Sequence, residues 1–252
     1  MDLACISGEE IPEHVLAISS TAIGHENQPF CWVHYAGVSV RVLNPFIPLD
    51  MNVGDSQIGL RLWEAEVCVL EWIYMHSHII KNRRILELGA GVGLAGLSCL
   101  HLGAKHVTLT DSNSKVLENL QIISQQSPFP DQLVVRRLEW TKDFALIKAE
   151  FLTHDFLLAA DCVYDPNDVA AFVETISTLL QVEPNALALI ACSVRNRDTF
   201  NILLQELTKR SLSVSEQVLS EGTKKFSSNV THMLTKSWKR ENVIIFLVSV
   251  ND

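Results

Sequence analysis

From residue 84 onward the chain alternates short β-type runs with helical stretches, and this alternation limits its fold more than any other feature. The β-type runs, rich in Val, Ile and Leu, fall at 84–88, 106–110, 133–138, 156–160, 186–192, 214–219 and 243–250. Stretches of helical period separate the earlier runs, at 94–102, 114–125, 168–180 and 197–208. Strands that alternate with helices imply βαβ units, right-handed crossovers and a parallel sheet covered on both faces. The last two strands have no helical pattern between them, so they are expected to pair as an antiparallel hairpin, although the 220–242 link is long for one. The predicted architecture is α/β: a Rossmann-like seven-stranded sheet with helices on both faces and the last strand pair antiparallel.

Upstream, the runs 30–35 and 38–43 flank Ala36-Gly37 and read as a β-hairpin that Asn44-Pro45 and Pro48 bring to an end. Residues 56–80 look helical over most of their length, with Leu62, Ala65, Val69, Trp72, Ile73 and Ile79 mostly on one face. The organisation that follows is an N-terminal extension with the hairpin, residues 1–55, and a catalytic-type α/β domain, residues 56–252. Residues 1–28 show little periodicity and read as a loose arm, or as a segment packed back on the domain. Five parallel strands finished by an antiparallel pair make the sheet of methyltransferases rather than that of dinucleotide dehydrogenases.

Composition narrows the class of partner. A net charge of -9 argues against nucleic acid, because phosphate binding needs a concentrated positive face. The first residues lack a basic region followed by an unbroken apolar one, so no secretory signal is expected. The longest strongly apolar run, 243–250, is far short of the ~20 residues a helix needs to cross a bilayer. Six cysteines (Cys5, Cys31, Cys68, Cys99, Cys162, Cys192) are scattered without a C-x-x-C pair and read as free thiols in a reducing compartment. Without a signal peptide, Asn229-Val230-Thr231 is a chance match to a glycosylation acceptor. A cytosolic or nuclear protein is expected, with no membrane partner and a monomeric state favoured. The nine histidines form no ligand-spaced cluster with the cysteines, so no metal is expected.

The strongest local signal is the run Ile85-Leu86-Glu87-Leu88-Gly89-Ala90-Gly91-Val92-Gly93-Leu94. A strand enters a glycine-rich turn and a helix begins at once, which places the turn at the ligand-facing end of an open α/β sheet. Gly89 and Gly91 let the backbone turn sharply and approach a ligand closely. Leu94 stands where a dinucleotide fingerprint would have its third glycine. Glu87 adds a carboxylate that suits the α-amino group of S-adenosylmethionine and would repel a phosphate. Asp111 closes the next strand, where an acid can bind both hydroxyls of a ribose; the alternative is a helix N-cap.

Together these residues resemble the family-16 protein methyltransferases, seven-β-strand enzymes that include the elongation factor 2 lysine methyltransferase and its methyltransferase-like relatives. The likeness runs from about residue 59 to 200. Leu62-Trp63 with Glu64-Ala65 is similar to the family's tryptophan before the glycine turn, and Leu138-Glu139-Trp140 to its leucine-x-tryptophan element. Ala159-Ala160-Asp161-Cys162-Val163-Tyr164 resembles the family's D-x-x-Y motif. The resemblance implies cofactor contacts from Trp63, Ala90, Trp140 and Ala160, with Asp161 and Tyr164 beside the acceptor amine. Arg195-Asn196-Arg197-Asp198-Thr199 resembles the elongation factor 2 branch. Independently, a carboxylate leaving the apolar run 156–160 is hard to explain as packing; its alternative role is to cap the next helix.

The implied activity is S-adenosylmethionine-dependent methylation of a lysine in a protein substrate. A lysine must be neutral to attack, which costs roughly 4–5 kcal/mol at pH 7 from an ordinary pKa of ~10.4. Desolvation and the nearby sulfonium lower that pKa, whereas Asp161 raises it, so Asp161 is assigned to orienting the amine. A small-molecule methyltransferase and a non-catalytic cofactor-binding module share the same cofactor half. The basic segment 222–240, with Lys224, Lys225, Lys236, Lys239 and Arg240, reads as a solvated loop or as a contact for an acidic protein surface.

Overall fold

A computed structural model describes residues 30–35, 38–43, 54–140, 147, 151, 153–183, 185–219 and 242–251. The arm at 1–28, the turn at Ala36-Gly37, Asn229-Val230-Thr231 and the basic residues of 222–240 lie outside the described residues, as do Cys5 and the Cys31 side chain.

Two strands, β1 (Phe30–Tyr35) and β2 (Val38–Leu43), pair antiparallel, as the hairpin reading requires. A 3₁₀ helix (Gly54–Leu60) leads to α1 (Glu64–Met75) and the short α2 (Ser77–Ile80). The α/β alternation follows as β3 (Arg84–Leu88), α3 (Leu94–His101), β4 (His106–Asp111), α4 (Ser114–Gln125), β5 (Leu133–Arg137) and β6 (Phe156–Ala160). It continues as α5 (Val169–Val182), β7 (Leu187–Ser193), α6 (Arg197–Lys209), β8 (Leu212–Gln217) and β9 (Val243–Val250).

The large sheet has seven strands in the order β5-β4-β3-β6-β7-β9-β8. The first five run parallel, and β9 is antiparallel to both β7 and β8. The seven-stranded sheet with an antiparallel final pair is therefore as expected. The strand order reverses between β3 and β6, and in open α/β sheets a ligand crevice lies at the carboxyl ends of the strands flanking such a point.

Side chains alternate between two cores, as the period of a strand demands. Ile85, Val107, Leu109, Phe156, Leu158, Leu189 and Ala191 face α1, α3 and α4, and Val40 and Val42 of β2 join this core. Leu86, Leu88, Leu157, Ala159, Ala188 and Ile190 face α5 and α6, where Phe172, Ile176, Leu203 and Leu207 cover them. The hairpin is tied on by Arg41, whose Nη1 donates to Asn119 Oδ1 of α4 at 2.9 Å while Asn119 Nδ2 donates to Arg41 O at 2.8 Å.

Two differences from the sequence reading have a clear local cause. The helical stretch 56–80 divides into three pieces, because Trp63 is extended and His76 breaks the run with φ -115° and its ring stacked on Trp72. The strand expected at 214–219 runs Leu212–Gln217, since Ser211 at φ 53° ends the preceding helix and the chain extends at once. Among the described residues no helix is long and apolar enough to cross a membrane.

Candidate functional site

The carboxyl ends of β3, β4, β6 and β7 bring most of the expected residues to one edge of the sheet. Gly89, Ala90 and Gly91 form the turn after β3, where Ala90 N–H donates to Thr110 O of β4 at 2.8 Å. Gly89 has φ 62°, and a Cβ built there would lie 2.7 Å from Cys162 Cβ and 3.3 Å from Trp140 Cζ2. This glycine is thus where the segments after β3, β5 and β6 touch. Gly91 packs on Gly59, with 3.2 Å from its would-be Cβ to Gly59 O.

Asp111 links the glycine turn to β4. Its Oδ2 accepts from Gly91 N–H at 3.2 Å and its Oδ1 from Asn113 N–H at 2.9 Å. The N-cap of α4 is Asn113, which accepts from Lys115 N–H at 2.9 Å, so Asp111 is not the cap. Burial raises the pKa of its carboxyl, against hydrogen bonds from Asn113 and Gly91 that lower it.

Glu87 was expected to point a carboxylate into the crevice. It lies on the α1/α3 face of β3, the face of Ile85, at 2 % exposure, and Oε2 accepts from Gly96 N–H of α3 at 2.9 Å. A second carboxylate, Glu66 of α1, accepts from Leu94 N–H at 2.9 Å. The first turn of α3 is therefore held by two buried acids, as the free N–H groups and positive end of a helix favour. Burial, and next the charge of Glu66, push Glu87 well above the carboxylate range, and burial raises Glu66 to about 8. Glu66 escaped the sequence reading, although a glutamate among the apolar side chains of α1 was the signal for it.

The sign of the Glu66 effect is testable. Its folded pKa lies above the ordinary 4.5, so between those values the fold holds a proton that the unfolded chain releases, and stability falls as pH rises through that window. Glu66→Gln keeps the acceptor for Leu94 N–H and removes the ionisation. The variant should match wild type near pH 5.5 and exceed it by about 3 kcal/mol, roughly 6–12 °C, near pH 8.5. Parallel melting-temperature curves for the two proteins across that range would refute this account.

At the exit of β6, Ala160 is partly buried and Asp161 adopts φ 54°. A non-glycine residue held there costs about 1–2 kcal/mol, and such strain concentrates at functional sites. The carboxylate supplies the compensation: Oδ1 accepts from Ser193 N–H at 2.9 Å, and Oδ2 from Ser193 Oγ at 2.8 Å and Arg195 Nη2 at 2.7 Å. It does not cap α5, whose N-cap position is held by Asp168. Tyr164, three residues on, is 52 % exposed.

Arg195 also donates to Glu64 Oε2 at 2.5 Å and lies over the Trp63 ring, 4.8 Å from its centroid. Its loop is set locally: Arg195 N–H folds back onto Ser193 O at 2.8 Å, and Asn196 caps α6 through Asp198 N–H. Trp63 anchors itself by donating Nε1–H to Ile58 O at 3.0 Å. Trp140 is partly buried, edge-on to Phe172 at 5.0 Å. Ser193 went unrecognised in the sequence, and Glu64 and Arg195 were noticed only within family-like stretches.

The described thiols are free. Burial pushes Cys192 to about 12 and Cys162 well above the usual thiol value, so both stay protonated at neutral pH and neither competes as a nucleophile. Among the described residues no cluster of His, Cys, Asp and Glu could hold a metal ion.

Residues 45–210 match a protein family described as lysine methyltransferase. The chain is 32 % identical over 167 residues to the protein-lysine N-methyltransferase EFM3 of Chaetomium thermophilum, covering 63 % of this chain and 49 % of that protein. It is 28 % identical over 167 residues to the histone-arginine methyltransferase METTL23 of Rattus norvegicus, covering 64 % and 70 % respectively. This chain thus spans about half the length of the Chaetomium relative. Among solved structures, the O-methyltransferase from Bacillus cereus in complex with S-adenosylhomocysteine aligns at TM-score 0.50 and 12 % identity, over 74 % of this chain and 80 % of that one. That likeness is one of fold.

Proposed function

The chain belongs to the lysine methyltransferase family, and we propose that it is an S-adenosylmethionine-dependent enzyme that methylates a lysine side chain of a protein. In this reading residues 56–252 are the methyltransferase domain and residues 1–55 an extension of it. The turn Gly89-Ala90-Gly91, Asp111, Trp63, Trp140 and Ala160 hold the cofactor, with Glu87 fixing the helix behind the turn. Asp161 and Tyr164 stand by the acceptor.

The donor set suits this cofactor. The carboxylate of Asp111 at the turn favours a ligand carrying an ammonium and a sulfonium over a phosphorylated dinucleotide, while Glu66 and Glu87 are buried behind it on the first turn of α3. Asp111 offers a carboxylate to ribose hydroxyls at the end of β4. When bound, the cofactor supplies a methyl carbon to which the acceptor nitrogen bonds as the carbon–sulfur bond breaks, its electron pair staying on sulfur and the amine proton passing to water. Alignment is the protein's main contribution to such a displacement.

The observation that carries the acceptor assignment is Asp161: a strained, nearly buried carboxylate at the switch point, held by Ser193 and Arg195, beside the cofactor turn. A protein acceptor, rather than nucleic acid, accords with the net charge of -9. The cytosol or nucleus is the compartment in which such a substrate is sought.

The test is transfer of labelled methyl groups from S-adenosylmethionine into an extract of cells lacking the enzyme. Wild type should label a discrete protein band whose hydrolysate contains methyl-lysine. Asp161→Ala should label it roughly 10–100-fold more slowly, the effect of losing a charged hydrogen bond. Label in methyl-arginine or in the small-molecule fraction would refute the lysine assignment, and label in neither would refute the catalytic one.

A further inference from the structure

An acid beside an amine nucleophile creates a conflict: it can aim the nitrogen by a hydrogen bond, but its charge also favours the unreactive ammonium form. The arrangement around Asp161 contains an answer. Arg195 Nη2 sits 2.7 Å from Asp161 Oδ2 and 2.5 Å from Glu64 Oε2, so one guanidinium bridges two carboxylates. The Asp161 and Glu64 side chains are only 4 % and 8 % exposed, whereas Arg195 is 44 % exposed. The cation therefore closes the cluster on its solvent side. Trp63 supports it through its ring face, and the turn onto Ser193 O fixes its backbone.

Among the described residues, the other contacts observed around Asp161 add no positive charge. From α1 come Glu64 and Glu66, from the end of β7 Ser193 and the protonated thiol of Cys192, and from Asp161's own segment Cys162 and Tyr164. Arg195 is the cation that the geometry sets against Asp161.

We propose that Arg195 is a positioning residue that offsets the charge of Asp161, so that this carboxylate orients the acceptor nitrogen without holding it as a cation. The proposal rests on the lysine-transfer reading above. Glu64 sets the strength of the effect, because it shares the same guanidinium nitrogen. Removing Arg195 makes the cluster more negative by one charge, and removing the Glu64 charge makes it less negative by one. The two changes must move the ionisation of the bound acceptor in opposite directions.

The experiment is a pH profile of turnover for wild type, Arg195→Gln, Arg195→Lys and Glu64→Gln. The acceptor is the protein that takes up label from S-adenosylmethionine with wild type, and cofactor affinity is measured in parallel. Arg195→Gln should move the acid limb of kcat up by about one pH unit, a roughly tenfold loss at pH 7.5 that closes as the pH approaches 10, with KM no higher than wild type. Glu64→Gln should move the limb down and raise turnover at pH 7.5 by about threefold or more. Arg195→Lys, which keeps the charge but not the planar fork, should hold the limb where wild type has it. If Arg195→Gln failed to fold, the opposite-signed shift in Glu64→Gln would still decide the matter.

A loss in Arg195→Gln that is equal at every pH, or limbs that move the same way in both variants, would overturn the proposal and leave Arg195 a structural tie. A wild-type enzyme that labels no protein lysine would instead overturn the lysine-transfer reading, and this proposal with it.

Discussion

Gly89→Ala is expected to lower affinity for S-adenosylhomocysteine at least 100-fold and to destabilise the fold by about 2–5 kcal/mol. Two costs add. A residue with a β-carbon held at φ 62° loses about 1–2 kcal/mol, and a methyl forced into packed surroundings adds typically 1–3 kcal/mol. The new carbon would lie 2.7 Å from Cys162 Cβ, a backbone-anchored atom that cannot swing aside as a long side chain would. Relief therefore requires the segment after β6 or the glycine turn itself to shift, and Trp140, 3.3 Å from the same point, shifts with it. A 100-fold loss corresponds to about 2.8 kcal/mol of binding, less than the contacts at stake. Gly103→Ala is the control. It also has a positive φ, of 87°, but its Cβ would meet only Lys81 Cγ at 3.6 Å, away from the site. That variant should lose stability and keep wild-type affinity. Calorimetric titration and thermal melts check both, and normal binding by Gly89→Ala would remove the turn from the cofactor site.

The strands that build this edge were readable because each carries its own signal. The run 85–88 is apolar but for Glu87 and bounded by a glycine turn, and 156–160 is apolar and bounded by an acid. The turn at Gly89 and the acid at Asp111 follow from local chemistry, because a strand end, a positive φ and a carboxylate are properties of a few consecutive residues. The direction of Glu87 was not local. In a sheet covered on both faces the alternation Ile85, Leu86, Glu87, Leu88 has no polar side to mark, so the choice of face depends on α1 and α3, which meet there only in the fold. Glu66 and Glu87 are 21 residues apart in sequence yet hold one helix end together. Arg195 illustrates the same limit. Its meaning lies in two carboxylates 131 and 34 positions away, and no spacing rule on one chain segment could have joined them.

Asp111 carries the other large expectation. Changing it to alanine should weaken cofactor binding by about 10²–10³-fold, since two hydrogen bonds from ribose hydroxyls to a charged carboxylate contribute about 1.5–3 kcal/mol each, and only part survives solvent competition. Part of any loss, however, would come from the protein itself, because the same carboxylate holds Gly91 N–H at 3.2 Å and Asn113 N–H at 2.9 Å. A cycle separates the two contributions. Wild type should bind 2′-deoxy-S-adenosylhomocysteine at least tenfold more weakly than the parent ligand, and in Asp111→Ala that gap should nearly vanish, because the partner of the missing hydroxyl is gone. If the gap kept its full size in the variant, Asp111 would only brace the glycine turn, and the ribose would have to be bound by another group. Acidity offers a second reading of the same contact. Burial raises the pKa of Asp111, so wild-type affinity should decline on acidification at a higher pH than for an exposed aspartate, and Asp111→Ala should lack that decline.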